Sequence, residues 1–287
     1  MDTGGDTILS FDEVVVTDNQ LSGVMTAKSI SISDSSFKTN TIVVSLFSVQ
    51  EATIVRNNFQ DELFAESYFT CERTIFMEHN SFVHVNCSLI ENHEIQGSLV
   101  LVQSQVNDES VSVITNTTAS GCTTNQFYNF MNCFANVTQF TGNSITGPVI
   151  RGTHSTDGIT RIFLTGITLE QGDASAIIIS LLERSTIDGR ISEVHIEDVL
   201  FNGYIGMQYP VNINNLGGVI TLNNFNFYNS ERAIVSTGDV TISNIMISDM
   251  VCPVYSPILL SAGVFELNNF YLYTVFATAD AIFYISH

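Results

Sequence analysis

The sequence predicts an all-β protein, folded as one parallel β-helix domain over residues 1–287. Three observations predict it. Residues that favour helices are scarce, one short apolar pattern recurs along the whole chain, and a small or polar bend residue follows the alternating part of each copy. Together they favour short strands joined by bends and wound into a solenoid.

The composition favours strands and limits the partners. Charged residues make up 13% of the chain, against about 25% in a typical soluble domain. Ser, Thr, Asn and Asp stand where a helical protein would carry Ala, Glu and Lys. The chain has 9 Lys and Arg against 29 Asp and Glu, and the formal charge of −20 argues against nucleic acid or anionic membrane as a partner. The densest apolar run, 176–182, is too short for a membrane span.

The recurring pattern is apolar, any, apolar, any, a small or polar turn residue, any, any, apolar, and we count twelve copies. The spacing is uneven, with a mean of roughly 23 residues, as expected when strands are fixed and loops vary. The strong copies begin at Val14, Ile30, Ile75, Leu99, Ile162, Val194, Ile220, Val240 and Phe265, and the weaker ones at Ala52, Ser120 and Thr138.

Each copy has a simple physical interpretation. The alternation is a strand with one buried face, and the turn residue tolerates a left-handed backbone. A further strand follows in most coils, and stacking the coils about 4.8 Å apart closes one core and pairs every backbone edge. The predicted further strands are Thr41–Phe47, Ala176–Leu182, Ala233–Val235, Pro257–Leu260 and Ala281–Ile285.

This pattern resembles the right-handed, pectate-lyase-like parallel β-helix family, over essentially the whole chain and in fold pattern only. The prediction is a right-handed β-helix of about 12 coils with roughly 23 residues per coil. A β-sandwich is the alternative, but it needs hairpin turns between short strands. The few Asp-Gly and Asn-Gly pairs, at 157–158, 188–189 and 202–203, do not lie between two such strands.

Six polar residues are predicted to share one phase of the coil, either inward or lining the turn. Such side chains cap bend amides or stack as a ladder, and a ladder of bound metal is the alternative. His79 occupies the same phase and is interpreted as a bend residue. The six are Asp18, Asp34, Asp198, Asn224, Asn244 and Asn269.

No catalytic residues, no metal ligands and no cofactor are predicted. Relatives with this fold are often polysaccharide lyases or hydrolases, which need clustered aspartates with Arg, Lys or His on adjacent coils. The motifs Asn-Thr-Asp, Asp-Asp and Gly-His-Gly are missing, and the best candidate, His154–Arg161, is interpreted as a polar bend. Weak calcium binding at the pairs 61–62 and 108–109 remains a hypothesis without a supporting spacing.

The five cysteines show no Cys-x-x-Cys pair, so a zinc site is not predicted. Cys122 is expected in the core, and the pairs 71/87 and 122/133 are the only ones close enough in sequence to form a disulfide. Candidate N-glycosylation sites are Asn86, Asn116 and Asn136, which we expect outside the strands.

The closing apolar residues of the copies should form one internal file. That file would contain Phe37, Phe59, Phe82, Phe127, Phe201 and Phe227 together with Leu21, Val106, Ile145, Leu169, Ile247 and Leu272.

The pattern begins and ends near the same point of the coil, and no amphipathic capping helix precedes or follows it. We therefore expect an uncapped piece of a longer solenoid, or a subunit that stacks end to end on itself.

Three functions follow from these expectations. The first is a non-enzymatic extracellular or cell-surface structural protein that forms a rod, fibre or filament, with itself or further β-helix as partner and glycans on its loops. The second is a pectate-lyase-like carbohydrate-active enzyme or carbohydrate-binding module. The third is a tailspike or adhesin passenger domain.

Overall fold

The computed structural model describes residues 8–18, 20–21, 25–42, 47–64, 67–87, 98–103, 111–124, 126–153, 159–181, 191–205, 208–252, 256–261, 263–277 and 283–286. These residues form parallel strands and no helix. None of the described segments is therefore a helix that could cross a membrane.

The strands of the first half are β1 (Ile8–Asp12), β2 (Val15–Thr17), β3 (Gln20–Leu21), β4 (Met25–Ser33), β5 (Ser36–Lys38), β6 (Thr41–Ile42), β7 (Phe47–Val55), β8 (Asn58–Gln60), β9 (Leu63–Phe64), β10 (Ser67–Glu78), β11 (Ser81–Val83), β12 (Asn86–Cys87), β13 (Ser98–Gln103), β14 (Val111–Ser120), β15 (Thr123–Thr124) and β16 (Gln126–Met131). Those of the second half are β17 (Phe134–Asn143), β18 (Ile150–Thr153), β19 (Arg161–Glu170), β20 (Ile177–Leu181), β21 (Glu193–Asn202), β22 (Val211–Asn215), β23 (Val219–Tyr228), β24 (Ile234–Gly238), β25 (Val240–Cys252), β26 (Ile258–Ser261), β27 (Phe265–Ala277) and β28 (Phe283–Ser286).

Most of the strands stack in three columns. Within a column, each strand pairs in parallel with a strand of the coil below and with a strand of the coil above. The first column begins at β1, and each strand pairs with the next one in the order β4, β7, β10, β14, β17, β19, β21, β23, β25 and β27. The second column starts at β2 and passes through the later halves of the long strands. The third column runs from the start of β4 to β28, and β3, β6, β9, β12 and β15 form a short fourth ladder.

The parallel β-helix prediction is confirmed, with slightly fewer coils than predicted. Among the described residues, ten successive pairings link eleven rungs in the first column, against about twelve predicted. The register step, which is the number of residues between paired positions of successive rungs, ranges from 20 to 37. The shortest step joins Thr221 to Thr241, and the longest joins Ile75 to Ser112. Half of the ten steps lie within two residues of the predicted 23.

Four predicted copies are wrong in position. The copies begun at Val14, Ser120 and Thr138 are displaced along the chain, and the copy begun at Leu99 lies in the third column. The true rungs there begin at Leu9, Ser112 and Ala135. Each rung has two left-handed bends, and the copy begun at Val14 aligns with the second bend, Asp18, instead of the first, Glu13.

The internal file is largely as predicted. Phe37, Phe59 and Phe82 stack with ring centroids 5.1 and 4.8 Å apart, and Phe201 stacks on Phe227 at 5.0 Å. All of them, together with Leu169 and Ile247, are buried. Stacked aromatic rings of this size bury a large apolar area in a narrow interior.

Two predicted members of the file are buried elsewhere. The register places Ala119 and Gly142 above Phe82, instead of Phe127 and Ile145. Because those two residues are small, Phe127 fills the room from the side, with its ring perpendicular to that of Phe82 at 5.3 Å.

The remaining three predicted members have different outcomes. Leu272 lies in register above Ile247 but is exposed on the last rung of the first column. The prediction for Leu21 is wrong, because Leu21 pairs with Ile42 in the short fourth ladder and Val16 occupies the file position beside Phe37. Residue 106 lies outside the described residues.

Polar side chains also enter the interior, in a ladder that the sequence analysis missed. Asn57 accepts a hydrogen bond from the Ser35 backbone N–H through Oδ1 (2.9 Å) and donates one to the Ile32 carbonyl (3.0 Å). Asn80 repeats this one rung higher, accepting from the Asn57 N–H at 3.0 Å and donating to the Ile54 carbonyl at 2.7 Å. Each buried amide thus satisfies backbone groups of the rung below it.

Candidate functional site

Two columns of left-handed residues frame the second strand column. The first bend ends the first-column strand, the second bend lies five residues later, and every φ is between 47° and 71°. The first-bend residues are Glu13, Asp34, Arg56, His79, Asn116, Gln139, Gly166, Asp198, Asn224, Asn244 and Asn269. The second-bend residues are Asp18, Thr39, Asp61, His84, Gly121, Ser144, Gln171, Gly203, Asn229, Asp249 and Thr274.

Five of the six predicted ladder residues lie at the first bend, and Asp18 lies at the second. Their side chains are exposed and do not point inward. The Asn224 amide donates to Asp198 Oδ1 at 2.6 Å, and the Asn269 amide donates to Asn244 Oδ1 at 2.9 Å. These contacts join successive rungs, as expected for a polar ladder on the outside of the solenoid.

Asp34 is joined to the next rung by an ion pair. Arg56 Nε and Nη2 lie 2.7 and 2.6 Å from its two carboxylate oxygens. The hydrogen bond from Arg56 lowers the pKa of Asp34. Because both side chains are exposed, solvent screens the pair and its effect on stability is small.

The strongest candidate for a binding surface is an array of rings on the outward face of the first column. Phe163 lies between Phe134, at 5.5 Å between ring centroids, and His195, which stacks on it at 5.0 Å with an interplanar angle of 25°. All three residues are half-buried. We call these three residues, with Arg161, the ring array.

Arg161 lies in register between Phe134 and Glu193. Its Nε is buried and has no hydrogen-bond partner among the described residues. A buried donor of this kind carries a desolvation cost unless an acceptor is supplied. The ring array therefore combines three partly exposed rings with a guanidinium whose buried Nε has no acceptor among the described residues.

The connections from the third to the first column differ in length in this part of the chain. The chain runs from the third to the first column through 104–110, 154–160 and 182–192, whereas the connection from β16 to β17 has only two residues. Of the predicted candidate segment His154–Arg161, residues 154–158 lie outside the described residues. Thr160 is buried and accepts a hydrogen bond from the Asn132 N–H at 3.0 Å. The interpretation of the whole segment as a polar bend stays a prediction.

The described residues do not assemble a metal centre. Among them, no group of three or more His, Cys, Asp or Glu side chains is placed to hold an ion. Asp61 and Glu62 face opposite sides of the wall: Asp61 is paired with His84 at 3.3 Å outside, and Glu62 is buried. The pair 108–109 lies outside the described residues.

Three of the cysteines are buried and free, namely Cys71, Cys122 and Cys133. Cys122 is in the core as predicted, and the pairing of 122 with 133 is not formed. Burial raises the pKa of Cys71 and of Cys122 to about 11, so these thiols are poor nucleophiles at neutral pH. The side chains of residues 87 and 252 are not among those described.

The candidate glycosylation residues lie within strands, and the expectation that they lie outside the strands is wrong. Asn86 is in β12, Asn116 is the first-bend residue of β14, and Asn136 is on β17 next to Phe163 in the register. For Asn116 and Asn136 the error follows from the misplaced copies begun at Leu99, Ser120 and Thr138. Use of these sites as glycan acceptors stays a prediction.

A shallow open cleft of about 340 Å³ lies at the third-column bend of the later rungs. Asn215 dominates it, but its amide donates to the Asp239 carbonyl at 2.6 Å, and its Oδ1 accepts from the Gly218 N–H at 2.7 Å. The polar groups of this cleft are thus engaged in shaping the bend.

The two terminal rungs differ from the interior ones in burial. On the first rung Leu9, Phe11 and Val16 are only partly buried. On the last rung of the first column Leu267 is 36% and Leu272 38% exposed, although both occupy inward positions. Inward residues of the interior rungs are nearly all completely buried.

No family model matches the sequence, and no curated protein matches it. Among solved structures, the surface protein and adhesin PfbA of Streptococcus pneumoniae is similar in fold. It has 10% identity over 99% of this chain and 92% of that chain, with a TM-score of 0.46. Endopolygalacturonase I from Stereum purpureum, solved with two galacturonate, has 9% identity over 92% and 95% of the two chains and a TM-score of 0.23. At these identities the likeness concerns the fold alone.

Proposed function

We propose that the protein is a non-enzymatic structural β-helix of the cell surface or extracellular space, and that its terminal rungs are covered by further β-helix in a rod or filament. The observation that carries this proposal is the exposure of inward positions at both terminal rungs. An apolar rung with open backbone edges is an aggregation hazard that native proteins cover. Further rungs cover it with the same contacts that already join the interior rungs.

Charge favours growth along the axis over growth side by side. The formal charge of −20 makes the walls of two rods repel each other over a Debye length of about 8 Å at physiological salt. The outward residues of the first column include Glu51, Glu78, Glu193 and Glu197, whereas the inward positions of the terminal rungs are apolar. End contacts therefore bury apolar surface with little opposing charge.

Sedimentation velocity and negative-stain microscopy of the whole chain test this proposal. We expect rods of one width and of variable length. Leu272→Asp places a charge on the last rung and should leave single short rods. The matched control, Leu200→Asp, adds the same charge to the outward face of an interior strand and should still give long rods.

A compact monomer with unchanged sedimentation in both variants would contradict the proposal. Glycopeptide mass spectrometry of native material at Asn86, Asn116 and Asn136 tests the extracellular location separately. Complete absence of glycans in a eukaryotic source would count against that part alone.

A second candidate function is carbohydrate binding at the ring array. Sugar rings stack on aromatic side chains, and the partly exposed guanidinium of Arg161 beside the rings would attract the carboxylate of an acidic sugar. Calorimetry with uronate and neutral oligosaccharides tests it. Phe163→Ala should abolish binding, while Phe76→Ala, on the same outward face three rungs away, should not.

Lyase or hydrolase activity at the ring array is tested with the same protein samples. Incubation with acidic polysaccharides and calcium would release unsaturated products or new reducing ends if the protein were a lyase or a hydrolase. We expect neither product.

A further inference from the structure

We infer that the β-helix which covers each terminal rung is a second copy of this chain, set in a single register with residues 265–274 against residues 9–18 of the next copy. This inference rests on the proposed function and specifies its partner. It follows from the bends, the apolar columns and the charges of the two terminal rungs.

The bends fix the register first. Both terminal rungs carry left-handed residues five positions apart, at Glu13 and Asp18 on the first rung and at Asn269 and Thr274 on the last. Aligning Asn269 with Glu13 makes both corners coincide, as they do between every pair of interior rungs. A shift of one residue would turn every inward side chain outward.

The inward positions then meet as apolar pairs of the kind found between interior rungs. Among the described strands, β27 pairs only with β25 in the first column, and β1 pairs only with β4. The new contacts are Phe265 on Leu9, Leu267 on Phe11 and Leu272 on Val16.

The outward face provides the most specific evidence. Val264 is 75% exposed and Ile8 is 71% exposed, and the alignment places one above the other. Tyr271 and Val15, which are 51% and 72% exposed, also fall into one column. Exposed apolar residues at the two ends therefore match each other column by column, and stacking would partly cover all four.

The charges agree with the same register. No carboxylate meets another in the first column: Glu266 meets Ser10, Asn268 meets Asp12 and Asn269 meets Glu13. The carboxamide of Asn269 donates one hydrogen bond to Asn244 and has a second N–H for the carboxylate of Glu13. A shift of two residues would instead place Glu266 against Asp12.

The third column continues in the same arrangement. β28 pairs with β26 below it, and the start of β4, residues 25–27, is the lowest described strand of that column. A second copy set on the last rung brings its residues 25–27 over β28. The backbone ladder of all three columns then passes from one copy to the next.

Disulfide trapping tests the register. In the double variant Val15→Cys with Tyr271→Cys the two Cα atoms of neighbouring copies would lie about 4.8 Å apart, within disulfide range. The matched control is Thr17→Cys with Tyr271→Cys, in which two further residues raise the separation to about 8 Å, beyond that range. The single variants control for reaction with the native cysteines.

We expect the first variant to give a ladder of covalent oligomers on non-reducing gels, with about tenfold more cross-linked chain than the offset variant. Equal cross-linking of both variants would overturn the register. Long rods in the microscope without cross-linking of the first variant would overturn the register and leave the proposed function standing. Single short rods with no cross-linking would overturn both.

Discussion

Raising the pH should destabilise this protein through one buried carboxyl group, that of Glu62. Its side chain points inward after the second bend, where Oε1 accepts hydrogen bonds from the Asn40 backbone N–H at 3.2 Å and from the Asn40 amide at 2.9 Å. Oε2 is buried without a hydrogen-bond partner among the described residues. Burial raises the pKa of Glu62 from 4.5 to about 7, against the lowering effect of Asn40.

The direction and size of this change in stability follow from the difference between the pKa values of Glu62 in the folded and unfolded states. The folded state holds the proton more tightly than the unfolded state, so stability is greatest below the unfolded pKa of 4.5 and falls as the pH rises towards the folded pKa of about 7. At 1.36 kcal/mol per pKa unit, the loss between pH 5 and pH 8 is about 2 to 3 kcal/mol. Above pH 8 this contribution no longer changes.

Urea unfolding at pH 5 and pH 8 measures this loss, with Glu62→Gln as the test variant. The amide cannot ionise, so the variant should gain about 2 to 3 kcal/mol relative to the wild type at pH 8 and little at pH 5. Glu72→Gln, which removes an exposed carboxylate, is the control. If the wild type and Glu62→Gln changed in parallel with pH, the argument from burial would be wrong.

Three further variants test the packing by urea unfolding followed with circular dichroism. Phe82→Ala should cost roughly 3–5 kcal/mol because it opens a cavity in the ring stack, and an unchanged midpoint would contradict the register. Asn57→Ala should cost about 1–3 kcal/mol for each buried group left unpaired, the Ser35 N–H among them, and a neutral effect would mean that water replaces the amide. Gly238→Ala should lose the folded signal of the later rungs, because its Cβ would lie 1.6 Å from the Asn215 carbonyl oxygen and its φ is +89°. A normally folded variant would show that this bend can shift.

The sequence predicts the fold because alternation is strong wherever inward positions are large. Ile30, Ile32 and Phe37 alternate with Ser residues, and the bend residue Asp34 follows at the expected place. The fifth and sixth rungs could not be placed, since Ser112 and Gly142 occupy inward positions there and hide the apolar pattern. The space left by these small residues is filled by side chains from other strands of the same coils, such as Phe127.

The ring array could not be predicted for a different reason. Phe134, Phe163 and His195 are separated by 29 and 32 residues, and nothing in the local sequence aligns them. They become neighbours only through the register of three successive rungs, whose loops differ in length. A pattern with a mean spacing of 23 residues does not resolve which outward residues share a column.

Stability in such a solenoid is local, and this makes the terminal rungs the weakest part of the molecule. Each rung contacts only its two neighbours, so a terminal rung has about half of the stabilising contacts of an interior rung and bears the full entropic cost of its own ordering. Leu267 and Leu272 lose contact with water only when something lies above them, and the Asn57 ladder shows how fully the interior rungs satisfy one another. Covering both ends with another copy gives the terminal rungs the second neighbour that every interior rung already has. Assembly and folding stability should therefore be linked, so that the unfolding midpoint rises with protein concentration in the wild type and stays constant in Leu272→Asp.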